Sequence, residues 1–111
     1  MAVIYEVTLH VRIAIAGDFR AWLRGHIAAM LEIPGIEAFE LHALETQSTT
    51  ECSWCVRYRI SDRAALDAYL RDHAPRMRGE GLARFGDAFR AERRILTPLD
   101  SRRNATAPSA G

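Results

Sequence analysis

Apolar and polar residues alternate along residues 3–13. Tyr5, Val7, Leu9, Val11 and Ile13 fall on one side, and Glu6, Thr8, His10 and Arg12 on the other. A period of two with one polar side predicts a half-buried strand. From Phe19 the period changes to that of a helix. Phe19, Trp22, Leu23, His26, Ile27, Met30 and Leu31 form one stripe, with Asp18 as a candidate cap and Pro34-Gly35 as a stop. Residues 36–45 predict a second strand, with Phe39, Leu41 and Ala43 opposite Glu40 and His42. The polar run 46–51 is short enough to be a hairpin turn. Residues 52–60 alternate again, Trp54, Val56, Tyr58 and Ile60 against Cys55, Arg57 and Arg59.

Ser61-Asp62 starts a second helix, striped by Ala65, Leu66, Tyr69, Leu70 and His73. Pro75 predicts a bend near His73 and Ala74, followed by a helical segment that turns Met77, Leu82 and Phe85 inward and ends at Gly86. Residues 88–97 predict a last strand, with Phe89, Ala91, Arg93 and Ile95 on the apolar side and Arg90, Glu92 and Arg94 on the polar side. After Pro98 the composition turns to Ser, Arg, Asn, Ala, Pro and Gly, so 98–111 is expected to be a disordered tail behind a domain at 1–97.

The order is βαββαβ. The economical solution is an α+β, ferredoxin-like fold: a four-stranded antiparallel sheet with both helical runs on one face. In that arrangement the first strand lies between the third and fourth. Glu6, Thr8 and His10 then stand beside Arg57 and Arg59 on one side and the Arg90–Arg94 segment on the other.

Composition removes several classes of function. The 15 basic and 14 acidic residues leave a net charge of +1, without the basic footprint of a nucleic-acid binder. No apolar run approaches the ~18 residues of a membrane span, and the N-terminus lacks the charged and apolar regions of an export signal. A cytoplasmic location without structural disulfides is the expectation. Cys52 and Cys55 are three apart on a predicted strand, so they face opposite ways and form neither a disulfide nor a zinc half-site. No phosphate-binding or dinucleotide glycine motif and no nucleophile elbow occurs. No metal site or cofactor is predicted.

Two sites stand out. His26 and His73 lie on the apolar stripes of their helices, facing the sheet side that carries Tyr5, Trp54 and Tyr58; with Trp22 they would line an aromatic cleft. Such an imidazole could relay a proton or ligate a metal or haem iron. It could equally be a boundary residue bonded to a backbone carbonyl or a water. Arg93, on the same side, suits a ligand carboxylate or Glu80. The second site is the polar sheet face. Glu6, Thr8, His10, His42, Arg57 and Arg59 could meet a second copy of the chain through cross-strand ion pairs, or remain solvated.

The run YLxxHAPxMRxEGLxRFGxxFxAxRRIL at 69–96, preceded by YEVTL and FRAWLRGHIAAMLxIPG, resembles a domain-of-unknown-function family of small bacterial proteins. The likeness covers about residues 3–98. That family is similar in fold to the dimeric α/β-barrel superfamily, which includes antibiotic-biosynthesis-type monooxygenases, haem-degrading enzymes and muconolactone isomerase-like proteins. The resemblance implies a homodimer packed sheet to sheet and a ligand between helices and sheet. It implies no particular catalytic set. Three readings follow: a cofactor-free oxygenase or isomerase acting on an apolar or aromatic molecule, with His73 as its proton-transfer group; a non-catalytic dimerising regulatory or scaffold module; or haem binding through His73.

Overall fold

A computed structural model describes residues 1–105. Among them the elements run β1 (Val3–Arg12), α1 (Ala16–Leu31), β2 (Ile36–Leu44), β3 (Glu51–Ile60), α2 (Arg63–Asp72), α3 (Ala74–Phe85) and β4 (Phe89–Leu96), with single 3-10 turns at Ile13–Ile15 and Gly86–Ala88. The four strands form one antiparallel sheet in the order β2-β3-β1-β4. This is the ferredoxin-like arrangement. The 3-10 turn takes Ile13 out of the strand, so its side chain is exposed rather than core-facing.

The core lies between the helices and one sheet face. Phe19, Leu23, Ile27 and Met30 of α1 and Leu66 and Tyr69 of α2 bury against Tyr5, Leu9, Val11, Val56, Tyr58 and Ile60. Fully burying a large apolar side chain contributes roughly 1.5–3 kcal/mol, so this layer outweighs any single polar contact. Asp62 caps α2, accepting a hydrogen bond from the Ala65 amide at 2.8 Å. Asp18 is not a cap. It stands inside the first turn of α1, which follows the 3-10 turn directly and begins without a side-chain cap.

Two departures from the expected pattern shape the site. At His73 the backbone (φ −124°, ψ −35°) leaves the helical region, and α3 restarts with Pro75 in its first turn. α3 is then rotated so that Ala74, Met77, Gly81 and Phe85 face inward, and Leu82 is 58% exposed. Gly81 lets the helix in: a Cβ there would sit 3.0 Å from Trp22 and 3.3 Å from Phe89. In addition, β2 is an edge strand only partly covered by α1. Phe39 shares the face of Tyr58 yet is 43% exposed.

From Thr97 to Asn104 the chain is exposed and carries no helix or strand; the remainder of the expected tail, 106–111, lies outside the described residues. No helix among the described residues is long and apolar enough to cross a membrane.

Candidate functional site

A cleft of about 50 Å³ opens between α1, α2, α3 and the sheet. Its sheet wall carries Tyr5, Val7 and Leu9 of β1, Val56 and Tyr58 of β3, and Phe89 and Arg93 of β4. Its helix wall carries Phe19, Trp22, Leu23, His26 and Met30 of α1, Tyr69 of α2, and Met77, Arg78 and Gly81 of α3. Strand alternation places the first set on one side, and the i, i+3, i+4 spacing of the helices places the second opposite it.

The rings form two groups, one around Phe19 and one of three tyrosines. Phe19 lies 5.4 Å from Trp22, 5.0 Å from Phe85 and 4.9 Å from Phe89, centroid to centroid. His26 stacks on Trp22 at 4.7 Å. Tyr5 lies 5.5 Å from Tyr69 and 6.3 Å from Tyr58. Such pairs add to their area burial and hold the rings in fixed orientations.

The polar groups are few and incompletely satisfied. Arg78 donates from Nη2 to the Tyr5 hydroxyl at 2.9 Å, while its Nε is buried with no hydrogen-bond partner among the described residues. His26 Nδ1 is likewise buried and unpartnered. A buried unpaired donor or acceptor costs about 1–3 kcal/mol, so two in one cleft mark it as a place built for something polar. Burial lowers the His26 pKa below that of a free imidazole, Glu80 raises it in part, and Arg93 lowers it again. The ring is therefore neutral near pH 7. Burial pushes the Tyr58 and Tyr69 phenols up, assisted by their tyrosine neighbours, so both stay protonated.

Of the residues expected to line a cleft, Tyr5, Trp22, His26, Tyr58 and Arg93 do so. His73 does not. The break that ends α2 takes His73 off its stripe, which runs to Leu70, and leaves it half-buried at the α2–α3 junction with its Nδ1 3.4 Å from Arg76. The proton-transfer and haem readings built on His73 therefore have no place in this cleft. Trp54 stacks on Phe19 at 6.1 Å and stands behind it, outside the lining. Arg93 and Glu80 form no ion pair among the described residues, although both act electrostatically on His26. Arg78 was not singled out from the sequence. With Ala74, Met77, Gly81 and Phe85 it lies on a stripe that is visible once Gly81, rather than Leu82, is placed inside.

The open face of the sheet carries the second candidate set. Glu6, Thr8, His10, His42, Arg57 and Arg59 all lie on it, with His42 paired opposite Cys55 and Thr8 between Cys55 and Glu92. The register aligns Glu40, Arg57, Glu6 and Arg94 in one row across four strands. Arg57 Nε reaches Glu6 at 2.8 Å, and Arg94 reaches it through Nε at 2.7 Å and through Nη2. The two guanidiniums fold over Glu6 and leave it 1% exposed, although it stands on the polar face. Burial alone would raise its pKa; the hydrogen bonds and charges of Arg94 and Arg57 outweigh burial and hold it below the ordinary glutamate value. His10 bonds Ser53 at 2.8 Å, and Arg59 stands 3.7 Å from Glu37. Cys52 and Cys55 are free thiols; burial, then the Glu6 charge, raises the Cys55 pKa.

A family of domains of unknown function, DUF4286, matches residues 2–99. The chain belongs to this family. No curated protein matches it. Among solved structures, HapK from Hahella chejuensis is similar at 21% identity and TM-score 0.65, covering 95% of this chain and 99% of its own. Rv0793 from Mycobacterium tuberculosis is similar at 21% identity and TM-score 0.63, covering 91% and 98%. SnoaB from Streptomyces nogalater, a cofactor-independent oxygenase, is similar at 13% identity and TM-score 0.64, covering 96% and 100%. At these identities the likeness is one of fold, which this DUF4286 chain shares with ferredoxin-like proteins of the dimeric α/β-barrel type.

Proposed function

We propose that this DUF4286 protein binds a small apolar or aromatic molecule between helices and sheet and acts on it as a cofactor-free oxygenase or isomerase. The observation that carries this reading is His26: a neutral imidazole with an unpartnered buried nitrogen, stacked on Trp22 in an aromatic cleft. Such a nitrogen can take a proton from an acidic C–H or O–H of a bound molecule. The anion that results would be stabilised by Arg78 and the Tyr5 hydroxyl, which are already coupled on the same cleft. The fold of SnoaB supports the oxygenase class by likeness alone. The cleft is smaller than a usual ligand pocket, so binding must widen it. Met77, unbranched, and Arg93, exposed at the mouth, are the side chains suited to moving aside.

The chain has two tryptophans, so Trp54→Phe leaves Trp22 as the reporter. Titrating that protein with planar hydroxyaromatic compounds should quench Trp22 emission saturably. Oxygen uptake or isomerisation by the complex should fall at least tenfold in His26→Phe. If no compound quenches, the cleft is a closed core. Binding without turnover favours the second reading, a non-catalytic dimerising module. That reading draws on the charge row of the open sheet face, Glu40, Arg57, Glu6 and Arg94, which is suited to meeting a second copy.

A further inference from the structure

The charge of the cleft is one-sided. Among the described residues its titratable lining consists of three phenols, one imidazole and two guanidiniums, Arg78 and Arg93, with no carboxylate. Among the described residues, no acidic side chain lies within ion-pair distance of either arginine, although six arginine–carboxylate contacts form elsewhere among them. Glu80 influences His26 but does not line the cleft. Arg78 donates from Nη2 to the Tyr5 hydroxyl and, among the described residues, keeps a buried Nε with nothing to donate to. A partly buried guanidinium facing aromatic rings rather than a carboxylate is an unbalanced arrangement, since buried charge is ordinarily paired.

We infer that the molecule held in this cleft is an acid: an aromatic or apolar body carrying an anionic oxygen group, with Arg78 and Arg93 as its counter-charges. This deepens the proposed function and rests on its cleft-binding reading. The aromatic wall of Phe19, Trp22, Tyr58 and Phe89 takes the ring, and the guanidiniums take the oxygen group. The free Nε of Arg78 adjoins the Nη2 already held by Tyr5, so the anion would sit beside the Tyr5 hydroxyl. Arginine suits this task because its fork of donors matches a carboxylate and its charge persists at any physiological pH. Arg93 reaches the cleft from β4, opposite Val7 of β1, and is exposed; it would meet the acid at the mouth, whereas Arg78 holds it inside.

Calorimetric titration with 2-naphthoate and with 2-naphthamide, equal in shape and different in charge, tests this. The carboxylate should bind at least tenfold tighter than the amide. Arg78→Met and Arg93→Met should each weaken naphthoate at least fivefold and leave naphthamide unchanged. Should Arg78→Met fail to fold, Arg93→Met, at an exposed position, carries the same comparison. Equal affinity for the two compounds, or equal loss of both in the variants, overturns the inference while leaving a cleft that binds aromatics. Binding of neither compound overturns the cleft reading itself and this inference with it.

Discussion

Glu6 shows how a single side chain can be polar in position and buried in fact. It stands at the centre of the open sheet face, and its carboxylate is roofed by Arg57 and Arg94 from the strands on either side. The guanidiniums are themselves about half exposed or more, so solvent weakens each pair. Hydrogen bonds to a charged group are still worth about 1.5–3 kcal/mol, and Glu6→Gln should cost about 2 kcal/mol at pH 7. The sign of its pH dependence follows from the depressed pKa. The stabilisation is complete above the ordinary value of 4.5 and drains away as pH falls from there through the folded value. Urea unfolding at pH 7 and pH 3 should show a smaller acid loss in Glu6→Gln than in the parent protein. Identical acid losses would show that the pairs contribute nothing. Gly35 is a second such residue. Its φ of +90° is poorly suited to a side chain, and a Cβ there would lie 2.5 Å from the Ala65 Cβ. Gly35→Ala should therefore cost more than about 2 kcal/mol, and a urea midpoint near the parent value would contradict this.

Among the elements, the strands were legible from the sequence and the last helix was not. Alternation in β1, β3 and β4 assigns each side chain to a face, and a one-residue error would have turned the whole core outward. With the strand order of the fold, alternation alone brings Glu6 beside Arg57 and near Arg94. α3 resists the same treatment because Gly79, Gly81 and Leu82 admit two rotations. Apolar character favours Leu82 inside, but close approach to Trp22 and Phe89 selects Gly81, and with it Arg78 enters the cleft. His73 departs from its stripe for a related reason: the stripe of α2 holds only while the helix continues, and Pro75 ends it. Neither the unpaired state of His26 Nδ1 and Arg78 Nε among the described residues nor the partial exposure of β2 has a signature in periodicity. The start of α2 was legible, and it can be tested. Asp62→Ala removes the acceptor for the Ala65 amide and should cost about 1 kcal/mol of stability, whereas Asp62→Ser or Asp62→Asn should restore most of it. Loss of the same size in all three variants would mean that the cap is not what holds this turn.

The described residues form a slab of 44 × 35 × 20 Å, with helices on one side and none of these residues layered over the second sheet face. An antiparallel sheet can leave one face to water. This face, however, carries more organisation than solvation requires. Besides the Glu40–Arg57–Glu6–Arg94 row, Arg90 bonds both Glu51 oxygens at 3.0–3.1 Å, and His10 ties to Ser53. Arrays of alternating sign are self-complementary under a two-fold axis, because a row meeting its own reverse sets cation against anion. A stable pairing needs about 800 Å² from each partner, and a face of these dimensions is large enough to supply it. Light scattering should therefore give twice the 12.5 kDa chain mass. Arg59 is the residue to reverse, since it lies on this face and, among the described residues, makes only a long contact with Glu37 at 3.7 Å, leaving Glu6 undisturbed. Arg59→Glu should weaken association at least tenfold without lowering the unfolding midpoint of the monomer. Arg63→Glu, an equal charge change on the helix side, should leave the mass as it was. A parent chain that scatters as 12.5 kDa, or a mass that responds to both reversals alike, would return this face to the solvent and leave the cleft as the candidate site.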